Sequence, residues 1–158
     1  MTQIRETAGN FEGAQKRVGL VAARFNSRIV DGLVQSAVDC LLRHSVSPDA
    51  IEIVRVPGAW ELPLALDELA RSGKFDLLVA LGAVVRGETP HFDYVCGETS
   101  SGIARVSLQN RLPIGFGLLT CENSEQGRQR SGGKAGNKGW EAAAAALEMA
   151  DLLQRLRS

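Results

Sequence analysis

A histidine and a glycine-containing turn follow a long apolar stretch of the chain. Residues 77–85 form a nearly continuous apolar run, and the turn of Gly87, Glu88 and Thr89 leads from it to His91. A neutral imidazole can take up or release a proton near neutral pH, and successive backbone N–H groups before a helix can bind an anion such as phosphate. A lone histidine is more often a surface residue, but its position after a buried strand favours a proton shuttle beside a phosphate site.

Two other loops carry side chains that could contact a flat, polar ligand. Phe25 and Trp60 follow predicted strands and could stack on a heterocycle, although each is equally consistent with a loop aromatic that packs into its own domain. Glu61 could accept hydrogen bonds from a polyol, or it could stabilise the N-terminus of the next helix. These loops are therefore candidates for a ring-binding and polyol-binding site.

Basic residues late in the chain are further candidates. Arg130 could hold a phosphate through two hydrogen bonds, although a solvated helix arginine is the default expectation. Lys134 and Lys138 have the pattern of loop charges.

The elements that must position these residues form four consecutive strand–helix units. Apolar runs and alternating patterns predict strands at 18–23, 50–56, 77–85 and 113–120. Helical periodicity and capping signals predict helices at 27–44, 62–71, 92–110, 123–130 and 140–156. Asn26 or Ser27 is expected to cap the first helix. Such alternation predicts an α/β protein with a parallel sheet between helix layers, and loops after the strands then converge at the edge where open α/β sheets bind ligands.

Composition limits the function classes. Equal numbers of basic and acidic residues, 18 and 18, give no one-sided basic field for nucleic acid, and no apolar run approaches the ~20 residues that span a bilayer. Three widely spaced cysteines without a CxxC pair argue against a disulfide framework or a zinc site and favour a cytoplasmic location. We predict a flexible N-terminal arm at 1–16 and a single domain at 17–158.

Four separated motifs resemble those of the lumazine synthase family. They are ARFN at 23–26, PGAWELP at 57–63, GAVVRGETPHFDYVCGE at 82–98 and KAGNKG at 134–139. The resemblance extends from about residue 17 to the C-terminus. With the strand–helix pattern, it leads us to expect a three-layer α/β/α sandwich with a four-stranded parallel sheet of flavodoxin-like topology.

The resemblance implies an enzyme of riboflavin biosynthesis. Members condense 5-amino-6-(D-ribitylamino)uracil with 3,4-dihydroxy-2-butanone 4-phosphate to give 6,7-dimethyl-8-ribityllumazine, and the reaction needs neither a metal nor a redox cofactor. Members form homopentamers and, in many cases, a sixty-subunit icosahedral shell, and an association with riboflavin synthase is a further expectation. The resemblance implies no nucleic-acid or membrane partner.

The resemblance also implies roles for individual residues. Phe25 covers the pyrimidine ring, Glu61 binds the ribityl chain, Glu88 and Thr89 bind the phosphate, and His91 is the general acid/base. Other implied pocket residues are Ala59, Trp60, Ala83, Val84 and Val85, while Phe116 and Arg130 match positions that reach the site from a neighbouring subunit. Asn26 and Lys138 are additional candidates.

Two other interpretations remain open on sequence alone. A non-catalytic flavin- or pterin-binding carrier would suit the same aromatics and phosphate turn, but a flavodoxin-like carrier is expected to place its phosphate loop after the first strand. The segment ARFNSRIV lacks the serine, threonine and glycine density for that role. A structural shell protein is the other interpretation, and the linker SGGKAGNKG resembles that of capsid-forming members.

Overall fold

Strands and helices alternate along the chain. A computed structural model describes residues 2–133 and 136–158. The elements are β1 (Val18–Ala23), α1 (Ser27–Arg43), β2 (Ile51–Val56), α2 (Leu62–Arg71), β3 (Leu77–Val85), α3 (His91–Asn110), β4 (Ile114–Cys121), α4 (Ser124–Arg130), β5 (Ser131–Gly133), β6 (Gly136–Asn137) and α5 (Lys138–Arg157). Two short 3₁₀ turns, Pro48–Ala50 and Ala59–Glu61, precede β2 and α2.

The sheet has the strand order β2-β1-β3-β4, and all its pairs are parallel. The two inner strands are apolar because helices cover both their faces. Along β3, Leu77, Val79 and Leu81 join one hydrophobic cluster, while Leu78 and Ala80 join the other, which is the period of two expected for a strand. The predicted three-layer sandwich of flavodoxin-like topology is confirmed.

The helices form a layer on each face of the sheet. The apolar stripe of α1 packs with α5 in one core cluster, and α2 and α3 pack over the opposite face. Helix α5 lies so close to β4 that a Cβ added at Gly115 would come within 2.2 Å of the carbonyl oxygen of Ala142, so any larger residue here would require α5 to shift. In the described part of the chain, no helix combines the length and apolarity that crossing a membrane requires.

Several element boundaries differ from the sequence prediction. Helix α3 begins at His91, so this histidine lies in the first turn of a helix rather than before it. Helix α5 begins at Lys138 because the side chain of Asn137 accepts hydrogen bonds from Gly139 N and Trp140 N, at 2.8 and 3.3 Å. The β5–β6 hairpin was not predicted, since its strands of three and two residues are too short for a periodic pattern. Residues 134 and 135, which open the KAGNKG motif and include Lys134, lie outside the described residues.

The N-terminal segment contacts the ends of α1 and α5. Asn10 N donates to Asp151 Oδ2 at 2.9 Å, Gly13 N donates to the carbonyl oxygen of His44 at 2.8 Å, and Lys16 Nζ donates to Gln154 Oε1 at 2.9 Å. These contacts lie at the end of the sheet away from the loops that follow the strands.

Candidate active site

The loops after β1, β2 and β3 line one open cavity of about 390 Å³. Eleven residues that were singled out from the sequence line it: Phe25, Asn26, Ala59, Trp60, Glu61, Ala83, Val84, Val85, Gly87, Thr89 and His91. Glu88 belongs to the same turn as Thr89, but it is not among the described residues that line the cavity. The parallel sheet thus brings three sequence-distant motifs together at its carboxyl edge.

Four lining residues were not predicted from the sequence. Pro57 and Gly58 belong to the PGAWELP motif and could have been found from it. Phe92 and Val95 are buried residues one helical turn apart in α3, and this spacing, read from His91 onward, was the available signal.

Backbone hydrogen bonds continue beyond the ends of β1 and β2 and hold the loop that carries Phe25 against the loop after β2. Arg24 N donates to the carbonyl oxygen of Val56 at 2.8 Å, and Phe25 N donates to that of Pro57 at 3.1 Å. Phe25 is 72% exposed and Trp60 is 58% exposed. The two aromatic side chains therefore present free surface at the cavity instead of packing into the domain core.

Asn26 connects the first loop to β3. Its backbone is left-handed, with φ at 62°, a conformation that asparagine tolerates better than most residues. Asn26 occupies the N-cap position of α1, which is one of the two positions predicted, but its side chain makes no capping hydrogen bond to this helix. Instead, Nδ2 donates to the carbonyl oxygen of Ala83 at 2.8 Å, which joins the loop after β1 to the end of β3.

Glu61 closes the loop after β2. Gly58 N donates to Glu61 Oε2 at 3.1 Å, and Glu61 N donates to the carbonyl oxygen of Gly58 at 3.2 Å, an arrangement that caps the start of the helical segment. The buried hydroxyl of Thr99 donates to the carbonyl oxygen of Ala59 at 3.4 Å. The carboxylate therefore stabilises the helix start while it also lines the cavity.

The turn before α3 presents hydrogen-bond donors. Within residues 2–133 and 136–158, the N–H groups of Gly87, Glu88 and Thr89 make no hydrogen bond to another residue. They precede the N-terminus of a 20-residue helix, whose dipole favours negative charge there. His91 is the first residue of this helix and is exposed, so an anion-binding turn and a proton-transfer group adjoin each other.

Three predicted site residues lie elsewhere in the same chain. Phe116, Arg130 and Lys138 line a second depression of about 430 Å³, and no residue lines both this depression and the first cavity. Phe116 is 51% exposed on the edge strand β4. Arg130 Nη1 donates to the carbonyl oxygen of Gln126 at 3.3 Å, and Lys138 Nζ pairs with Glu141 at 2.8 Å. One copy of the chain therefore does not bring these groups to His91.

The three cysteine thiols have raised pKa values. Burial raises the pKa of Cys40 to about 11, and it also raises the pKa values of Cys96 and of Cys121, where Arg130 opposes the shift. Such thiols are poor nucleophiles at neutral pH because the thiolate is scarce. The described residues include no group of three or more His, Cys, Asp or Glu side chains that could hold a metal ion.

Comparisons with known proteins show the family of the chain. The family model of 6,7-dimethyl-8-ribityllumazine synthase matches residues 15–154. A relative from Desulfovibrio desulfuricans is 53% identical over 99% of this chain and 100% of its own length, and one from Aquifex aeolicus is 52% identical over 98% and 99%. A third, from Desulfatibacillum aliphaticivorans, is 49% identical over 97% and 99%. All three relatives are named 6,7-dimethyl-8-ribityllumazine synthase. The chain therefore belongs to the lumazine synthase family, which consists of transferases of riboflavin biosynthesis.

Proposed function

We propose that the cavity after β1, β2 and β3 condenses 5-amino-6-(D-ribitylamino)uracil with 3,4-dihydroxy-2-butanone 4-phosphate to form 6,7-dimethyl-8-ribityllumazine. One observation carries this assignment: exposed aromatic rings, free backbone donors before α3 and a histidine line or adjoin a single cavity. Each group matches one part of the two substrates. The aromatic rings match the flat heterocycle, the backbone donors match the phosphate, and the histidine matches the amine and ketone, which exchange protons as they react.

The pyrimidine substrate binds along the first two loops. Phe25 stacks on the ring, and Trp60 adds a second aromatic surface. The ribityl chain lies against residues 59–61, where Glu61 accepts hydrogen bonds from its hydroxyls. Asn26 holds this loop against the end of β3, whose residues 83–85 form the apolar wall of the cavity.

The phosphate of the second substrate binds at the turn before α3. The N–H groups of residues 87–89 donate to its oxygens, the hydroxyl of Thr89 adds a side-chain donor, and the helix dipole of α3 favours its negative charge. This arrangement places the ketone of the same substrate beside His91.

His91 moves protons during the condensation. It takes a proton from the attacking amine and returns it to the departing hydroxyl, so the amine and ketone become an imine with loss of water. Removal of a carbon-bound proton then accompanies departure of inorganic phosphate, which leaves an enol that becomes a ketone. The ribityl-bearing amine attacks this carbonyl, and a second water leaves as the ring closes. No electrons are gained or lost from outside, so the balance requires no oxidant or reductant.

Orientation supplies most of the rate enhancement. Holding an amine against a carbonyl in reactive geometry contributes up to ~7 to 11 kcal/mol, whereas one acid/base group contributes about 10² to 10⁴-fold in rate. The cavity walls and the phosphate turn are therefore more important to the reaction than His91 alone.

A second copy of the chain completes the site. Phe116, Arg130 and Lys138 line one depression that includes residues of the edge strand β4, and contact with a neighbouring copy would bring them to that copy's cavity. Contact between two different surfaces of identical chains closes into a ring when the rotation permits it. The number of copies follows the family resemblance, which implies a homopentamer and, in many members, a sixty-subunit shell. The three free cysteines suit the reducing cytoplasm.

The test is absorbance near the lumazine band after the purified full chain is mixed with both substrates. Product formation that requires both compounds supports the proposal. Binding of the pyrimidine or of riboflavin without any product contradicts it and favours the carrier interpretation.

A further inference from the structure

We propose that Arg86 is a positioning residue that holds the phosphate-binding turn and His91 in their working geometry from outside the cavity. The inference rests on the proposed function of this cavity. Arg86 is the first residue after β3 and is not part of the described cavity lining. It acts through the groups that its guanidinium contacts.

The guanidinium of Arg86 joins three parts of the fold. Nε donates to Glu122 Oε2 at 2.7 Å, Nη2 lies 3.4 Å from Asp93 Oδ1, and Cζ lies 4.4 Å from the centroid of the Phe92 ring. Glu122 follows β4, whereas Phe92 and Asp93 belong to the first turn of α3. The side chain therefore connects the end of β3, the end of β4 and the start of α3. A cation over an aromatic face and a charge-assisted hydrogen bond both favour this arrangement.

These contacts close the turn that binds phosphate. The turn of residues 87–90 begins directly after Arg86 and ends where α3 begins. Because the Arg86 side chain contacts Phe92 and Asp93 in the first turn of α3, it connects the two ends of the turn. Apart from a backbone bond from Asp93 N to the carbonyl oxygen of Pro90 at 3.0 Å, the described residues supply no other hydrogen bond that closes it. Phe92 is only 7% exposed and lines the cavity, and it directly follows His91. A displacement of Phe92 would therefore move the histidine and the donors together.

The guanidinium of Arg86 already has partners within the protein. Its hydrogen bond with Glu122 comes first among the causes that raise the pKa of Arg86, so the guanidinium remains charged across the working pH range. Two carboxylates and an aromatic face hold it, which distinguishes a positioning residue from a direct phosphate ligand.

The first test compares Arg86→Met with wild type in the full chain. Methionine keeps an apolar stem beside Phe92 but removes both ion pairs and the cation. We expect the KM for 3,4-dihydroxy-2-butanone 4-phosphate to rise roughly five- to tenfold, while the KM for the pyrimidine substrate changes by less than about twofold, within the range of surface substitutions. Arg86→Lys retains the cation but not the planar fork, so it should recover part of the loss. Equal KM values for the phosphate substrate in wild type and Arg86→Met would overturn the proposal.

Arg43→Met is the matched control. Arg43 forms an exposed ion pair with Asp39 at 3.0 Å in the last turn of α1, away from the cavity, so the same substitution there should leave both KM values unchanged. A comparable rise in the control would show that loss of any surface ion pair has this effect, which would also overturn the proposal.

Glu122→Gln separates positioning from direct binding. If Arg86 is a positioning residue, the loss of its carboxylate partner weakens phosphate binding, as Arg86→Met does. If Arg86 instead binds phosphate directly, its release from Glu122 strengthens binding, and that result would refute the proposal. The affinity for inorganic phosphate, measured by calorimetry on each variant, gives a readout that is independent of turnover. A wild type that makes no product contradicts the proposed function, whereas the phosphate affinities of the variants still decide the role of Arg86.

Discussion

The substitution His91→Ala should slow the enzyme without abolishing its activity. The side chain of His91 is exposed, and within the described residues it makes no hydrogen bond, so its removal creates no cavity and leaves no buried group unpaired. We expect the free energy of unfolding to change by no more than about 0.5 kcal/mol.

The expected loss of rate follows from the groups that remain. Removal of one acid/base group costs about 10² to 10⁴-fold in rate, which corresponds to about 2.7 to 5.5 kcal/mol of activation free energy. The aromatic loop and the phosphate turn stay in place, and orientation retains its larger contribution of up to ~7 to 11 kcal/mol. Residual catalysis above the uncatalysed rate should therefore be measurable.

The assay is single-turnover formation of the lumazine product, followed by absorbance in wild type and variant under the same conditions. The control is His44→Ala, which replaces the only other histidine. His44 lies between the rings of Phe11 and Trp140, so its loss should lower the melting temperature but not the rate constant. An unchanged rate in His91→Ala, or complete loss of turnover in a correctly folded and assembled variant, would refute this reasoning.

Three other substitutions test separate parts of the account. Arg130→Ala should raise the KM for the phosphate substrate about ten- to hundredfold, because a charge-assisted hydrogen bond to the ligand is lost, with little change in kcat. Gly115→Ala should lower the free energy of unfolding by about 1 to 3 kcal/mol, measured by urea denaturation, because the new Cβ would overlap the carbonyl oxygen of Ala142. Asp76→Asn should make stability less sensitive to acid. Burial opposes the shift at Asp76, but hydrogen bonds from Arg17 outweigh it and hold the pKa of Asp76 below its ordinary value.

The sign of the acid effect follows from this lowered pKa. The ion pair of Asp76 with Arg17 contributes stability above the unfolded pKa of about 3.9, and this contribution is lost as the pH falls through the lowered folded value. Melting temperatures at pH 7 and pH 3 should therefore differ less in Asp76→Asn than in wild type. An equal or larger difference would contradict this assignment. An unchanged KM in Arg130→Ala would remove this residue from the site, and an unchanged urea midpoint in Gly115→Ala would show that α5 can shift away from β4.

Local patterns were sufficient to predict the fold. The apolar stripe of α1 repeats at helical spacing, whereas the short length of the β3 apolar run and the glycine-containing turn after it favour a strand, and four strand–helix units admit few topologies. The convergence of Phe25, Trp60 and His91 then followed from the parallel sheet, since parallel strands bring the loops after them to one edge.

Contacts between distant residues could not be predicted in this way. The sequence suggested that Asn26 caps α1, but a tertiary hydrogen bond to Ala83 uses its side chain. Arg86 and Glu122 are 36 residues apart, and no periodicity relates them. The separate location of Arg130 has a different cause, because its proposed partner surface belongs to another copy of the chain.

Subunit complementation tests the central claim most directly. His91→Ala and Arg130→Ala chains would be purified separately and as a co-expressed mixture, and product formation would be compared at equal total protein, with 3,4-dihydroxy-2-butanone 4-phosphate held well below its wild-type KM. If one copy supplies His91 and its neighbour supplies Arg130, random mixing restores both groups in about a quarter of the sites of a ring with heterologous contacts. The account predicts that the mixture is more active than either variant alone. Activity equal to the average of the two separate variants would contradict a site shared between copies.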